Sequence, residues 1–214
     1  MKSAPLLLAA SIAVMSVGCS IGRPIPQATT YIIDPPADVA DPSEPRRPET
    51  LRIGNVKVTA PYAGSALVYR LDDVRYASDP YNAFASDPGA MLGSRIAAWL
   101  DRAGPFSMVG QPGSVRAAPY VLESIVAELY GDFREGRPPA AVLAIQFVLI
   151  DQVSARPKVI YERTISRRVD LPKASPDALV RGYGTALAEI LSQISPELRR
   201  LPPVAGIYRP AALP

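Results

Sequence analysis

Whatever chemistry this chain performs, it performs without histidine: the 214 residues contain none. That removes the commonest general base, the usual base of a nucleophilic triad and the main nitrogen ligand for zinc. Four groups of reactive or recognising side chains remain. They are the single thiol Cys19, the neighbouring carboxylates Asp72 and Asp73, the arginines Arg163, Arg167 and Arg168, and an aromatic stretch of Tyr69, Tyr76, Tyr81 and Phe84 interleaved with Arg70 and Arg75. Asp72-Asp73 could serve acid/base work or calcium. Neighbours on a strand point to opposite faces, and no third ligand or calcium-loop signature lies near, so the pair reads as a turn or a solvated pair. Gly110 to Gly113 forms a Gln-Pro turn that lacks the pattern of a phosphate loop, so no nucleotide site is expected. The three arginines could attract anionic headgroups or an acidic partner face, but alternating cations on a half-buried strand more simply make a solvated face. Aromatic residues and arginine are favoured at protein interfaces. Tyr69, Arg70, Tyr76, Tyr81 and Phe84 are therefore the candidate partner-binding residues, the plainer alternative being a sheet face packed under its own loop. No catalytic set, metal site or cofactor is expected.

Cys19 is informative through its position. It is the only cysteine, so it has no internal disulfide partner, and one thiol is an incomplete ligand set for a structural metal. It follows one positive charge at Lys2, an apolar run from Leu6 through Val14, and the small residues Ser16 and Gly18, the order found in a secretory signal. The run is roughly ten residues, too short for a hydrocarbon core that needs about 20 helical ones. Val17-Gly18-Cys19 resembles the end of a bacterial lipobox, with Ser16 where that motif usually has Leu. Cys19 is thus the expected lipid attachment point, palmitate among its acyl chains, and several chains on one residue anchor durably where one binds reversibly. Ser20 follows in place of an inner-membrane retention aspartate. The expected address is the outer membrane, facing the periplasm.

Composition narrows the rest. A formal charge of +3 is small for this length, so nucleic acid is not an expected partner. The 24 prolines gather at Pro24 and Pro26, at Pro35 to Pro48, and in a tail from Pro202 to Pro214; such segments are extended and semi-rigid, about 3.1 Å per residue. The expected organisation is a signal peptide at 1–18, a lipidated cysteine and spacer at 19–30, a single domain at 31–200 with a proline-rich loop at 35–50, and a flexible tail at 201–214.

The elements that must position these groups follow from periodicity. Short strands are expected at Tyr31-Ile32-Ile33, at Leu51 to Val58 with a phase slip at Gly54-Asn55, and at Ala66 to Leu71 with a return at Arg75-Tyr76, together forming an antiparallel meander. Asp79 to Asp87 reads as a polar loop. A helix then opens with Asp87 as cap and Pro88 at its first position, places Met91, Leu92, Ile96, Trp99 and Leu100 on one face, and stops at Gly104-Pro105. Phe106 to Val109 reads as a strand, as does Tyr120 to Tyr130 with Val121, Ile125, Ala127 and Leu129 on a shared face. Ala141 to Ile150 is apolar on both faces, as in a mid-sheet strand, and Val159 to Leu171 alternates. A second helix opens at Ser175-Pro176 and carries Leu179, Tyr183, Ala186, Leu187, Ile190, Leu191 and Ile194 at helical spacing. Its Gly182 and Gly184 each cost about 1 kcal/mol of helix propensity relative to Ala, which points to close packing on the sheet. The fold class expected is α/β (α+β): a mixed, largely antiparallel β-sheet sandwiched with two principal amphipathic helices.

The order Gly18-Cys19, Tyr31-Ile32-Ile33, Leu67-Val68-Tyr69-Arg70, Val74-Arg75-Tyr76, Tyr81-Asn82-Ala83-Phe84, Ala103-Gly104-Pro105-Phe106 and Ala118-Pro119-Tyr120-Val121-Leu122 resembles the auxiliary lipoprotein component of ABC-type transport systems. That family works with MCE-domain proteins in moving lipids across the Gram-negative envelope, and the resemblance runs from Cys19 to about Leu198. It departs at Phe84, where the family often has tryptophan. What it implies is a non-catalytic envelope protein whose partner is an MCE-domain or ABC transporter subunit, with phospholipid as a further candidate ligand. An independent periplasmic lipid carrier or chaperone is the alternative, and a strand-rich domain with free edges could also form a symmetric homo-oligomer.

Overall fold

A computed structural model describes residues 27–36, 45–115, 117–153 and 156–202. Cys19, the signal and most of the tail lie outside the described residues. The element order is β1 (Thr29–Tyr31), β2 (Arg47–Val58), β3 (Ala66–Arg70), β4 (Tyr76–Phe84), α1 (Pro88–Ala103), β5 (Phe106–Gly110), β6 (Tyr120–Asp132), β7 (Ala140–Asp151), β8 (Lys158–Asp170) and α2 (Pro176–Arg199). The eight strands form one mixed sheet with two helices, the α/β class expected.

Both helices begin as their sequences dictate. The Asp87 carboxylate accepts the Ala90 N–H at 2.8 Å and the Ser175 hydroxyl accepts the Ala178 N–H, each satisfying an N–H that the helix leaves without an internal partner, with proline at the first position. Met91, Leu92, Ile96, Trp99 and Leu100 of α1 are all buried, as are the seven apolar positions expected on α2. Both helices cover one face of the sheet. Gly89 and Gly93 of α1 lie against Val56, while Gly182 of α2 lies against Ala141 and Leu179 against Gly131. The core between the layers includes Leu51 and Ile53, Leu122 and Val126, and Leu143, Ile145, Phe147 and Leu149, all fully or nearly fully buried.

β7 is an inner strand, paired antiparallel with β6 and with the edge strand β8 along its whole length, while β6, which also pairs β2 and β3, takes the mid-sheet place expected of β7. The start of the sheet departs from the meander. β2 runs parallel to both β5 and β6, β3 runs parallel to the last residues of β6 and antiparallel to β4, and β1 runs parallel to β4. Sequence neighbours β2 and β3 both align on the same side of β6, one along each half, which local pattern does not encode. β1 ends at Tyr31, leaving Ile32 exposed and Ile33 buried against α1, and it includes Thr29 and Thr30 from the expected spacer. β2 begins at Arg47, inside the expected proline loop, because Pro48 sits where the register shifts.

Two further expectations are corrected. Asp79 to Phe84 is not a loop but the second half of β4: Ala66 pairs with Ala83 and Val68 with Ser78, so residues 79–82 form a wide bulge. Asp79 and Asn82 supplied turn chemistry that hid a strand. In β6 a register shift at Ala127 splits the expected face, leaving Val121 and Ile125 on the uncovered side and Leu129 on the helix side. The expected slip at Gly54-Asn55 is present, between Ile53 and Val56.

Candidate functional site

β3 and β4 divide the candidate residues between the two faces of the sheet. Arg70 pairs with Asp132 and Tyr76 with Arg70, so both point to the uncovered face. There the Arg70 guanidinium lies 5.7 Å from the Tyr76 ring centroid and donates to the carbonyls of Asp72 and Asp73 and to the Tyr130 hydroxyl. Tyr76 meets Tyr130 edge-on at 5.5 Å, and Tyr62 stacks on Tyr130 at 5.8 Å. Tyr62 and Tyr130 are buried, while Tyr76 remains 41 % exposed. The result is a ledge of tyrosine edges and one arginine, open to solvent along Tyr76.

An ion-pair network supports the ledge. The Asp132 carboxylate is 1 % exposed and accepts both Arg134 contacts at 2.8 Å as well as Arg168, and Arg134 also reaches Asp73 at 2.9 Å. The Arg134 hydrogen bonds, joined by Arg168, hold Asp132 well below the usual carboxylate range even though burial opposes them. Asp72 closes the β3–β4 turn by accepting the N–H groups of Val74 and Arg75 and pairing with the Arg75 side chain, which lowers its carboxyl to about 2. Asp72-Asp73 is therefore a turn, as its spacing suggested.

Tyr69 and Phe84 face the helices instead. Tyr69 stacks on Phe133 at 5.0 Å and donates to Asp79 at 2.5 Å. Asp79 also accepts the N–H groups of Tyr81 and Asn82 and the Asn82 amide, and these bonds outweigh burial and lower its pKa. Burial and the Asp79 bond push the Tyr69 hydroxyl up. Phe84 is 4 % exposed and tilts against Tyr183 in the core, so its ring offers nothing to a partner; Tyr81, at the tip of the bulge, is 45 % exposed. The structure thus brings Arg70 and Tyr76 together, leaves Tyr81 accessible elsewhere on β4, and buries Phe84. Sequence reasoning missed Tyr62, Tyr130, Asp132 and Arg134. Tyr130 was masked by the β6 register shift, and Tyr62 belongs to a connection whose burial depends on the ring beneath it.

The arginines of β8 are partnered. Arg163 pairs with Glu197 and Arg167 with Glu189 and Gln193 of α2, while Arg168 reaches across the sheet to Asp132. Among the described residues no group of three His, Cys, Asp or Glu is placed to hold a metal ion, and no helix is long and apolar enough to cross a membrane.

The family model of the ABC-type transport auxiliary lipoprotein component matches residues 31–195. No curated protein matches the sequence. Among solved structures, the chain is similar to a DUF330-family protein of Xanthomonas campestris, with 15% identity, a TM-score of 0.64, and coverage of 79% of this chain and 90% of that one. It is also similar to an uncharacterized protein, with 21% identity, a TM-score of 0.58, and coverage of 81% and 97%. At these identities the likeness shows a shared fold.

Proposed function

The chain belongs to the family of the ABC-type transport auxiliary lipoprotein component, and from that membership we propose that it is a non-catalytic adaptor. In this reading Cys19 carries the lipid, the chain is held at the outer membrane facing the periplasm, and the folded domain docks the MCE-type periplasmic subunit of a lipid transporter. The family match over residues 31–195 carries the reading. The Arg70–Tyr76 ledge supplies a surface suited to it: Tyr76 is half-exposed on a support that cannot easily rearrange, because Tyr62 and Tyr130 back it and Asp132, Arg134 and Arg168 brace the adjoining strands. Rigid aromatic and arginine groups that are already ordered bind with little further entropy loss.

The test is crosslinking and pulldown from envelope membranes, comparing the native protein with Cys19→Ala and Tyr76→Ala. Recovery of an ABC or MCE subunit, lost or mislocalised with Cys19→Ala and reduced several-fold with Tyr76→Ala, is the expected result. Phospholipid recovered without any transporter subunit would replace the adaptor by an independent lipid carrier.

A further inference from the structure

The two ends of the sheet differ in charge and in what they expose. β6 runs from Tyr120 at one end to Asp132 at the other, about 40 Å at roughly 3.3 Å per residue. The Asp132 end also holds the β3–β4 turn and the start of α2. β1 is parallel to β4, with Thr29 opposite Asn82 and Tyr31 opposite Phe84, so it runs away from the Asp132 end. Arginines and carboxylates there neutralise one another: Asp72 with Arg75, Asp73 with Arg134, and Asp132 with Arg134 and Arg168.

The Tyr120 end is different. Residues 114–115 and 117–119 meet residues 152–153 there around a cleft of about 590 Å³ whose walls include Val115, Pro119 and Val153, with Arg52 of β2 beside them. Val115 is fully exposed and Val153 is 43 % exposed, both projecting from loops. Arg156 and the first residue of β8, Lys158, which pairs with Asp151, are exposed at the same end. Neither loop contains an acidic residue. Asp151, at the end of β7, is 3 % exposed and accepts the Val153 N–H at 2.8 Å, fixing the loop rather than offering charge to solvent. Glu123 and Glu162 lie farther along the open face, in one row across Val148, where they accept the Asn55 N–H and the Gln146 amide and keep their charge. The C-terminal turn of α2 adds the exposed Arg200 at the same end.

From this arrangement we propose that the end formed by Arg52, Val115, Val153, Arg156 and Lys158 binds an anionic phospholipid surface. Valine tips enter between headgroups while the cations lie at the level of the phosphates, the combination by which peripheral proteins hold acidic bilayers. A protein partner would more usually be met by aromatic anchors on a flat, ringed patch, which is the character of the ledge and not of this end. The surface is independent of the transporter reading.

The experiment reconstitutes the native lipoprotein into phosphatidylcholine vesicles and adds labelled vesicles containing phosphatidylglycerol. Flotation with the first vesicles reports the anchor, and capture of the second reports the basic end. Capture is expected, weakening as salt rises, and reduced roughly tenfold or more by Arg156→Glu with Lys158→Glu, because each cation contributes to binding near an acidic surface. Val115→Asp should weaken it as well, and Arg75→Glu at the other end should not. Unchanged capture in the double reversal, equal loss in Arg75→Glu, or no capture at all would overturn the proposal. If the protein fails to float with the first vesicles, the anchor reading falls, and direct flotation with phosphatidylglycerol against phosphatidylcholine vesicles still decides the surface.

Discussion

Replacing Gly182 by alanine separates helix propensity from packing, because the two act in opposite directions. In an isolated helix the change is favourable by about 1 kcal/mol. In the folded protein a Cβ at position 182 would stand 2.7 Å from the Ala141 Cβ and 2.6 Å from the Leu171 Cδ2. Carbon atoms rest at about 3.5–4.0 Å, so the overlap is near 1 Å on each side. Leu171 can rotate its end away, but Ala141 belongs to β7, which is paired on both sides. Relief therefore requires α2 to lift from the sheet. Overpacking of this kind costs about 1–3 kcal/mol, and after the propensity gain the net loss is about 0–2 kcal/mol, near 1 kcal/mol at the middle of the range. For a domain of this size a loss of about 1 kcal/mol lowers the Tm by roughly 2–4 °C. Urea and thermal unfolding followed by far-UV circular dichroism and by the fluorescence of the single, buried Trp99 measure it. A Gly182→Ala protein as stable as the parent or more so would refute the packing argument. Gly64→Ala, where an added Cβ meets nothing within 4 Å, is the control.

Arg47→Met should cost about 2–4 kcal/mol, because the guanidinium lies against the Phe106 and Tyr120 rings and donates to the Leu198 carbonyl in the last turn of α2 and to the Leu201 and Pro202 carbonyls just beyond it; hydrogen exchange should accelerate first in the last turn of that helix. Asp132 has a folded pKa depressed below its unfolded value of about 3.9. Its stabilisation is thus complete above that value and lost as pH falls toward the folded one, so Asp132→Asn should flatten the decline in stability between about pH 4 and pH 2 while lowering stability at pH 7. Acid titration of the two proteins by circular dichroism checks both signs. Asp87→Ala removes the cap of α1 and should cost about 1 kcal/mol, read as a shift in the urea midpoint with an unchanged slope.

The docking ledge shows how far sequence carries a site. Arg70 and Tyr76 could be singled out because arginine and tyrosine suit interfaces, yet Tyr69 and Phe84 share that chemistry and are turned to the helices by strand parity. The groups that hold the ledge in place, Tyr62, Tyr130 and Asp132, come from segments distant in the chain, and their contacts exist only once β3 lies beside β6. The basic end was equally hidden. Its two loops are separated by the whole of β6 and β7 and meet because an antiparallel hairpin returns its end to its beginning.

By itself the sequence determined both helices, their caps and buried faces, the inner rather than edge position of β7, the slip in β2 and the family, since each depends on local periodicity, on turn and cap chemistry, or on the order of short motifs along the chain. Tertiary structure alone decided that β2 and β3 share one side of β6, that β4 continues through a polar bulge, and that Val121 and Leu129 part company across β6. Strand partners and register are settled by which surfaces are buried together, and a one-residue slip exchanges the faces of everything beyond it.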